Sequence, residues 1–140
     1  MLAVVQNNPD ALRFKEVLRR GIIVATAFGE IVYKLAQRAN TPATSTGAFL
    51  KSQGVTAEPF IPAAALHLAD LKALDARCVA DQEAANAPQI KSLSLGDLCC
   101  LAHAQEREIP VLTGDRHWTT LAGYGLAVAV YDFRDQSLSP

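Results

Sequence analysis

Two neighbouring stretches, Leu93-Ser94-Leu95-Gly96-Asp97-Leu98 and Pro110-Val111-Leu112-Thr113-Gly114-Asp115-Arg116-His117-Trp118, restrict the possible folds more than any other part of this 140-residue chain. Ser94 is a good helix N-cap, which puts Asp97 at the third helical position. From there Leu95, Leu98, Cys99, Leu101 and Ala102 recur at helical spacing as far as Arg107. Val111-Leu112-Thr113 then starts after a proline, stays apolar and stops at Gly114, the pattern of a buried parallel strand. A helix, a short loop and a buried strand in this order belong to an open α/β sheet, and such sheets hold ligands at the carboxyl ends of their strands. Asp97 opens the helix and Asp115 closes the strand, so these two carboxylates define the candidate site.

Each acid also has a purely structural reading. Ser94-Leu95-Gly96-Asp97 fits a shortened capping box, with Leu93 and Leu98 as the hydrophobic staple around it, and Asp97 would then only stabilise the helix start. Asp115 after Gly114 fits an ordinary turn. Spacing alone does not separate these readings from the functional one.

Half of the residues are hydrophobic, enough for one core in a chain of this length, so a single domain over residues 1–140 is expected. With 13 Lys and Arg against 14 Asp and Glu the formal charge is -1, which excludes binding nucleic acid by bulk positive charge. Contacts to RNA would have to be local, through a metal and a few basic side chains such as Lys91, Arg107, Arg116 and Arg134. Lys91 and Arg116 are the two nearest the acids in sequence. Their alternatives are a solvated lysine and an arginine paired with an acid. Cys78, Cys99 and Cys100 are odd in number, lack Cys-x-x-Cys spacing and sit in apolar helical contexts, so they read as reduced core thiols of a cytoplasmic protein. No apolar run approaches the roughly 20 residues that cross a bilayer, and no charged region precedes the apolar start.

Taken in order, Asn7-Asn8-Pro9-Asp10 breaks the chain and caps a helix running to about Arg20. Gly21 ends it, and Ile22-Ile23-Val24-Ala25 reads as a buried strand. A helix over residues 27–39 sets Phe28, Ile31, Val32 and Leu35 on one face and Glu30 roughly opposite. Glu30 there either pairs with Lys34 in solvent or looks into a cleft. A short helix over residues 43–53 should end at Gly54, and residues 55–60 read as an edge strand because Pro59 cannot donate to a ladder. Residues 62–85 read as one alanine-rich helix carrying Leu66, Ala69, Leu71, Leu74 and Cys78, with His67 packed or at the surface. His103 is expected to be exposed. Arg116 opens a short helix to Leu121 with Trp118 packed on the sheet, and residues 125–133 form a final strand.

The segments from Leu93 to Ala102 and from Ile109 to Trp118 resemble the C-terminal half of PIN-domain nucleases, specifically the VapC toxins of toxin–antitoxin modules. Gly21-Ile22-Ile23-Val24-Ala25 followed by Ala27-Phe28-Gly29-Glu30-Ile31-Val32 resembles that family's second strand and the helix carrying its glutamate. The likeness runs over residues 2–133 and implies a three-layer α/β/α fold with a mainly parallel sheet. There is one departure. VapC chains begin with a central strand that delivers an aspartate, whereas residues 2–6 here resemble the helix after it, so that strand and its acid are expected to be missing. A second alignment makes residues 1–5 the strand and puts Gln6 or Asn7 in the aspartate's place. Asp10, beside Pro9 at a helix start, is a poor substitute.

The resemblance implies that Glu30, Asp97 and Asp115 are the catalytic acids and hold Mg²⁺ or Mn²⁺, Asp97 and Asp115 directly and Glu30 as a ligand or as a base acting through water. Three like charges in one place repel and require a cation, and oxygen ligands suit these two ions. The site so implied is made of carboxylates alone, which leaves His117 outside it. The activity implied is that of a metal-dependent endoribonuclease, a VapC-type toxin of a type II toxin–antitoxin system. Its partners would be an RNA substrate, a cognate VapB-type antitoxin and a second copy of the chain in a homodimer. With the first aspartate absent, the alternative is a catalytically impaired PIN-like protein retained as an antitoxin- or RNA-binding scaffold. An unrelated small α/β binding protein would require the Gly-Asp and Thr-Gly-Asp-Arg motifs to be coincidence.

Overall fold

The computed structural model describes residues 16, 19–87, 91–135 and 137. The expectations for the amino end, that is, the helix beginning at Asp10 and the missing strand with its aspartate, lie outside the described residues. The chain forms two compact units, one from the described residues up to Phe60 and the other from Ile61–Asp135.

In the first unit β1 (Ile22–Val24) and β2 (Thr56–Glu58) pair in parallel, with Ile22 opposite Thr56 and Val24 opposite Glu58. A parallel pair needs a long crossover, and α1 (Ala25–Ala39) with α2 (Ala43–Ser52) supplies it. Asn40 closes α1 in the left-handed region, with φ 49, and the Thr41 amide donates back to the Ala36 carbonyl at 3.0 Å. Gly54 does the same for α2 at φ 83, and the Val55 amide reaches the Leu50 carbonyl at 3.3 Å. Val24, Thr46, Leu50 and Val55 are buried here. The expectation of a fully buried first strand needs correction, because Ile22 is 44% exposed. Ile22 and Val24 share a face, so the difference lies along the strand: Val24 caps α1, while Ile22 sits at the open amino end. Strand β2 is shorter than expected, and Pro59 falls just beyond it.

The second unit runs α3 (Pro62–Ala65), α4 (Leu68–Ala84), α5 (Leu95–Glu106), β3 (Val111–Thr113), α6 (Arg116–Ala122) and β4 (Val130–Asp132). The single helix expected over residues 62–85 is therefore two. Between them the Leu66 and His67 amides donate to Ala63 and Ala64, an i→i+3 tightening that rotates the apolar stripe. Leu66 is thrown out to 80% exposure and Ala69 is also exposed. The stripe that is buried is Leu71, Leu74, Asp75 and Cys78. The His67 ring is held at this break by α5, with Gln105 Nε2 3.2 Å from Nδ1 and Glu106 Oε2 3.1 Å from Nε2.

Helix α5 packs against both α3 and α4 and buries Leu98, Cys99, Leu101, Ala102, His103 and Ala104. His103 was expected at the surface and is buried, since a helix covered on several sides has little polar face left. Leu95, counted with the apolar stripe, is 68% exposed at the first turn. Beyond α5, Glu108 turns left-handed at φ 52, and the amides of Glu108 and Ile109 close on Gln105 and Ala104 at 3.2 and 3.0 Å. Strand β3 then pairs in parallel with β4, Val111 opposite Val130 and Thr113 opposite Asp132, with α6 as the crossover. The final strand covers three residues rather than the nine expected; Gly125 lies at φ 94, and only Val130–Asp132 pair. The fold is mixed α/β, mostly helical, with short parallel strands, in keeping with the α/β/α expectation. No helix among the described residues is long and apolar enough to cross a membrane.

Candidate functional site

Both site acids of the second unit sit at helix amino ends, where the sequence put them. At α5 the capping box is complete: the Asp97 amide donates to Ser94 Oγ at 3.2 Å, and Asp97 Oδ2 accepts from the Ser94 amide at 3.0 Å and its hydroxyl at 2.7 Å. At α6 Asp115 is the N-cap. Its Oδ1 accepts from the His117 amide at 2.9 Å, and its own amide donates to Thr113 Oγ1 at 3.0 Å. The structural reading of each acid is thus realised in one carboxylate oxygen. Asp97 Oδ1 and Asp115 Oδ2 carry no hydrogen bond among the described residues, which leaves each acid one uncommitted oxygen of the hard kind that Mg²⁺ or Mn²⁺ takes. Gly114 delivers Asp115 from the end of β3 to α6, and the Phe133 ring packs over it so closely that a Cβ there would lie 2.2 Å from the ring edge and require it to shift.

Behind these two helix starts lies a residue that sequence reasoning missed. Asp75 is completely buried on α4. Its Oδ1 is 2.6 Å from His117 Nε2, and its Oδ2 accepts from Lys72 Nζ at 2.9 Å and from Ser92 Oγ at 2.5 Å. The Leu93 amide lies 3.2 Å from both oxygens. Burial alone would raise the Asp75 carboxyl. The hydrogen bonds from His117, Ser92, Lys72 and the Leu93 amide outweigh that and hold it well below the usual carboxylate range. An ionised carboxylate only accepts, so His117 Nε2 carries the donated hydrogen. His117 is 3% exposed, and its Nδ1 is buried without a partner among the described residues. Position 75 falls on the Leu71, Leu74, Cys78 stripe, so an acid on an apolar face was a readable signal. Its partners were not.

Arg116 and Lys91 are exposed. Arg134 is committed to Asp132, with Nε 2.9 Å from Oδ1 and Nη2 2.6 Å from Oδ2. That pair holds the Asp132 carboxyl below its ordinary range, against desolvation, and the Arg116 charge adds to the effect. Cys78 and Cys99 are buried and Cys100 is half-buried; burial pushes the Cys78 thiol up. In the first unit, Glu30 on α1 forms an ion pair with Lys34, both side chains substantially exposed. Among the described residues, no three His, Cys, Asp or Glu side chains form a group able to hold a metal ion. The donor chemistry of Asp97 and Asp115 therefore suits a divalent cation, but the described residues do not assemble a complete cage.

No curated protein and no solved structure matches the chain. A model of the PIN domain matches residues 1–124. That span takes in both helix starts with their acids, so the chain belongs to the PIN domain family, whose members are nucleases that generally depend on divalent metal ions.

Proposed function

We propose that this PIN domain is a metal-dependent endoribonuclease of the VapC type, acting as the toxin of a type II toxin–antitoxin pair. In this reading residues 1–140 are one PIN-like domain, a VapB-type antitoxin is the partner, and the protein works as a homodimer in the cytoplasm. The observation that supports it most is that Asp97 and Asp115 each stand at a helix start, α5 and α6, with one oxygen left over from the cap. Asp97 and Asp115 would hold Mg²⁺ or Mn²⁺ directly, with Glu30 as a third ligand or as a base through water. Such an ion lowers the pKa of a bound water and stabilises charge on the leaving oxygen of a phosphodiester. The cap bonds restrict the rotamers of Asp97 and Asp115, so both carboxylates are oriented before any ligand arrives. Arg116 and Lys91, both exposed, would take the RNA phosphates.

The test is cleavage of RNA by the purified full chain, with and without Mn²⁺, for the wild type and Asp97→Asn. Cleavage that needs the metal and is lost in the variant supports the mechanism. Cleavage indifferent to both contradicts it.

A second reading is favoured by one observation, the lack of a three-residue metal group among the described residues. In it the chain is a catalytically impaired PIN-like protein that keeps the fold as an antitoxin- or RNA-binding scaffold. RNA bound with equal affinity by the wild type and Asp97→Asn, and not cleaved under any metal condition, would establish that reading.

A further inference from the structure

We propose that Asp75 is the positioning residue of this site: a buried carboxyl side chain that sets the distance between Asp97 and Asp115 by holding the two segments that carry them. The proposal rests on the metal-binding role given above to those two acids. Asp75 touches neither of them. It touches the residues beside them, through Ser92 Oγ and the Leu93 amide just before the Ser94 cap, and through His117 two residues after Asp115. These partners lie 17, 18 and 42 residues from it along the chain, so no local turn could impose the same spacing. The Asp75 side chain is fully buried and His117 is 3% exposed, so on the His117 side the link is shielded from water. Lys72, half-exposed, supplies a cation on the Ser92 side and closes the set of donors. A leucine on the same stripe would pack against α5 but would hold neither the Leu93 amide nor the His117 ring.

Residues that orient metal ligands without touching the ion typically change affinity by about 10- to 100-fold when altered. The experiment is Mn²⁺ titration of the full chain, followed by the electron paramagnetic resonance signal of the free ion, with thermal unfolding of every variant and the kcat and KM for RNA. Asp75→Leu, which removes every acceptor at this position, and His117→Phe, which removes the link to α6, are expected to weaken Mn²⁺ binding by about 10- to 100-fold. They should also lower kcat more than they raise KM. His117→Gln, which returns a donor to the place of Nε2, is expected to restore most of the affinity. The double variant Asp75→Leu/His117→Phe should bind no more weakly than the worse single variant, because both cut the link between Asp75 and His117.

Should Asp75→Leu fail to fold, His117→Phe with its His117→Gln rescue, together with Ser92→Ala on the α5 side, decides the matter. Asp97→Asn is the control for the site itself. If it abolishes Mn²⁺ binding while a folded His117→Phe binds like wild type, the positioning role is wrong and the metal site stands. If Asp97→Asn leaves Mn²⁺ binding unchanged, the metal site itself is wrong, and the positioning role falls with it.

Discussion

Glu30 and Asp75 are both acids on long helices, and they mark the contrast between the two units of this chain. Glu30, in the first unit, is 38% exposed at its side chain and is paired only with Lys34 one turn away. Asp75, in the second, has no exposed surface and accepts from two side chains on other elements, one on its own helix and one backbone amide. A solvent-facing ion pair is worth a few tenths of a kcal/mol, so Glu30 gives up little to take another partner. A buried carboxylate stripped of its partners is costly, so Asp75 stays where it is. The lesson is that in one small protein a solvent-facing acid and an acid that holds distant segments together are told apart by burial and partner count, not by residue type.

The strongest way to break this comparison is to remove each carboxylate in turn. Asp75→Ala should cost about 3–5 kcal/mol in urea unfolding, and Glu30→Ala no more than about 0.5 kcal/mol. Equal costs would overturn it. Acid should report the same difference. Asp75 titrates lower folded than unfolded, so its stabilising contribution is complete above about pH 4, the unfolded value, and is lost as pH falls from there through the folded value. The slope of unfolding free energy against pH below 4 should therefore be shallower in Asp75→Asn than in the wild type.

Smaller effects sharpen the picture of the second unit. Gly114→Ala should cost about 1 kcal/mol, because the far edge of the half-buried Phe133 ring must move aside for the added methyl, and Phe133→Leu in the same chain should recover part of it. Glu108→Gly should instead stabilise by about 1 kcal/mol, since Glu108 occupies a left-handed position after α5 where glycine is at ease. Both are read by thermal or urea unfolding. The smallest change belongs to the first unit: Lys34→Ala should shift stability by about 0.5 kcal/mol or less, and less still at high salt.

What could be read from the sequence was what its neighbours decide. The capping box Ser94-Leu95-Gly96-Asp97 needs four consecutive residues, the left-handed Gly54 ends α2 on its own, and Val111-Leu112-Thr113 announces β3 between a proline and a glycine. What could not be read depends on distant partners. Asp75 looks like an interruption of an apolar stripe until Ser92 and His117 arrive from the start of α5 and from α6. The break at Leu66 and the burial of His103 are likewise set by how α5 packs on α3 and α4, which no local pattern encodes. The roles of Asp97 and Asp115 fall between the two cases, because one residue serves a cap and offers a spare oxygen at the same time.

Separating those two services is the most direct test. Asparagine keeps an acceptor oxygen for the cap bonds that Asp97 makes at the third helical position and Asp115 makes as N-cap, but is a weak ligand for a hard cation, whereas Ser94→Ala removes the cap hydroxyl and keeps the carboxylate. The measurement is the Mn²⁺-dependent rate of RNA cleavage set beside the melting temperature for Asp97→Asn, Asp115→Asn and Ser94→Ala. The expected result is lost cleavage with a near-wild-type melting temperature in the two asparagine variants, and retained cleavage with a lowered melting temperature in Ser94→Ala. Cleavage that persists in both asparagine variants would contradict the account.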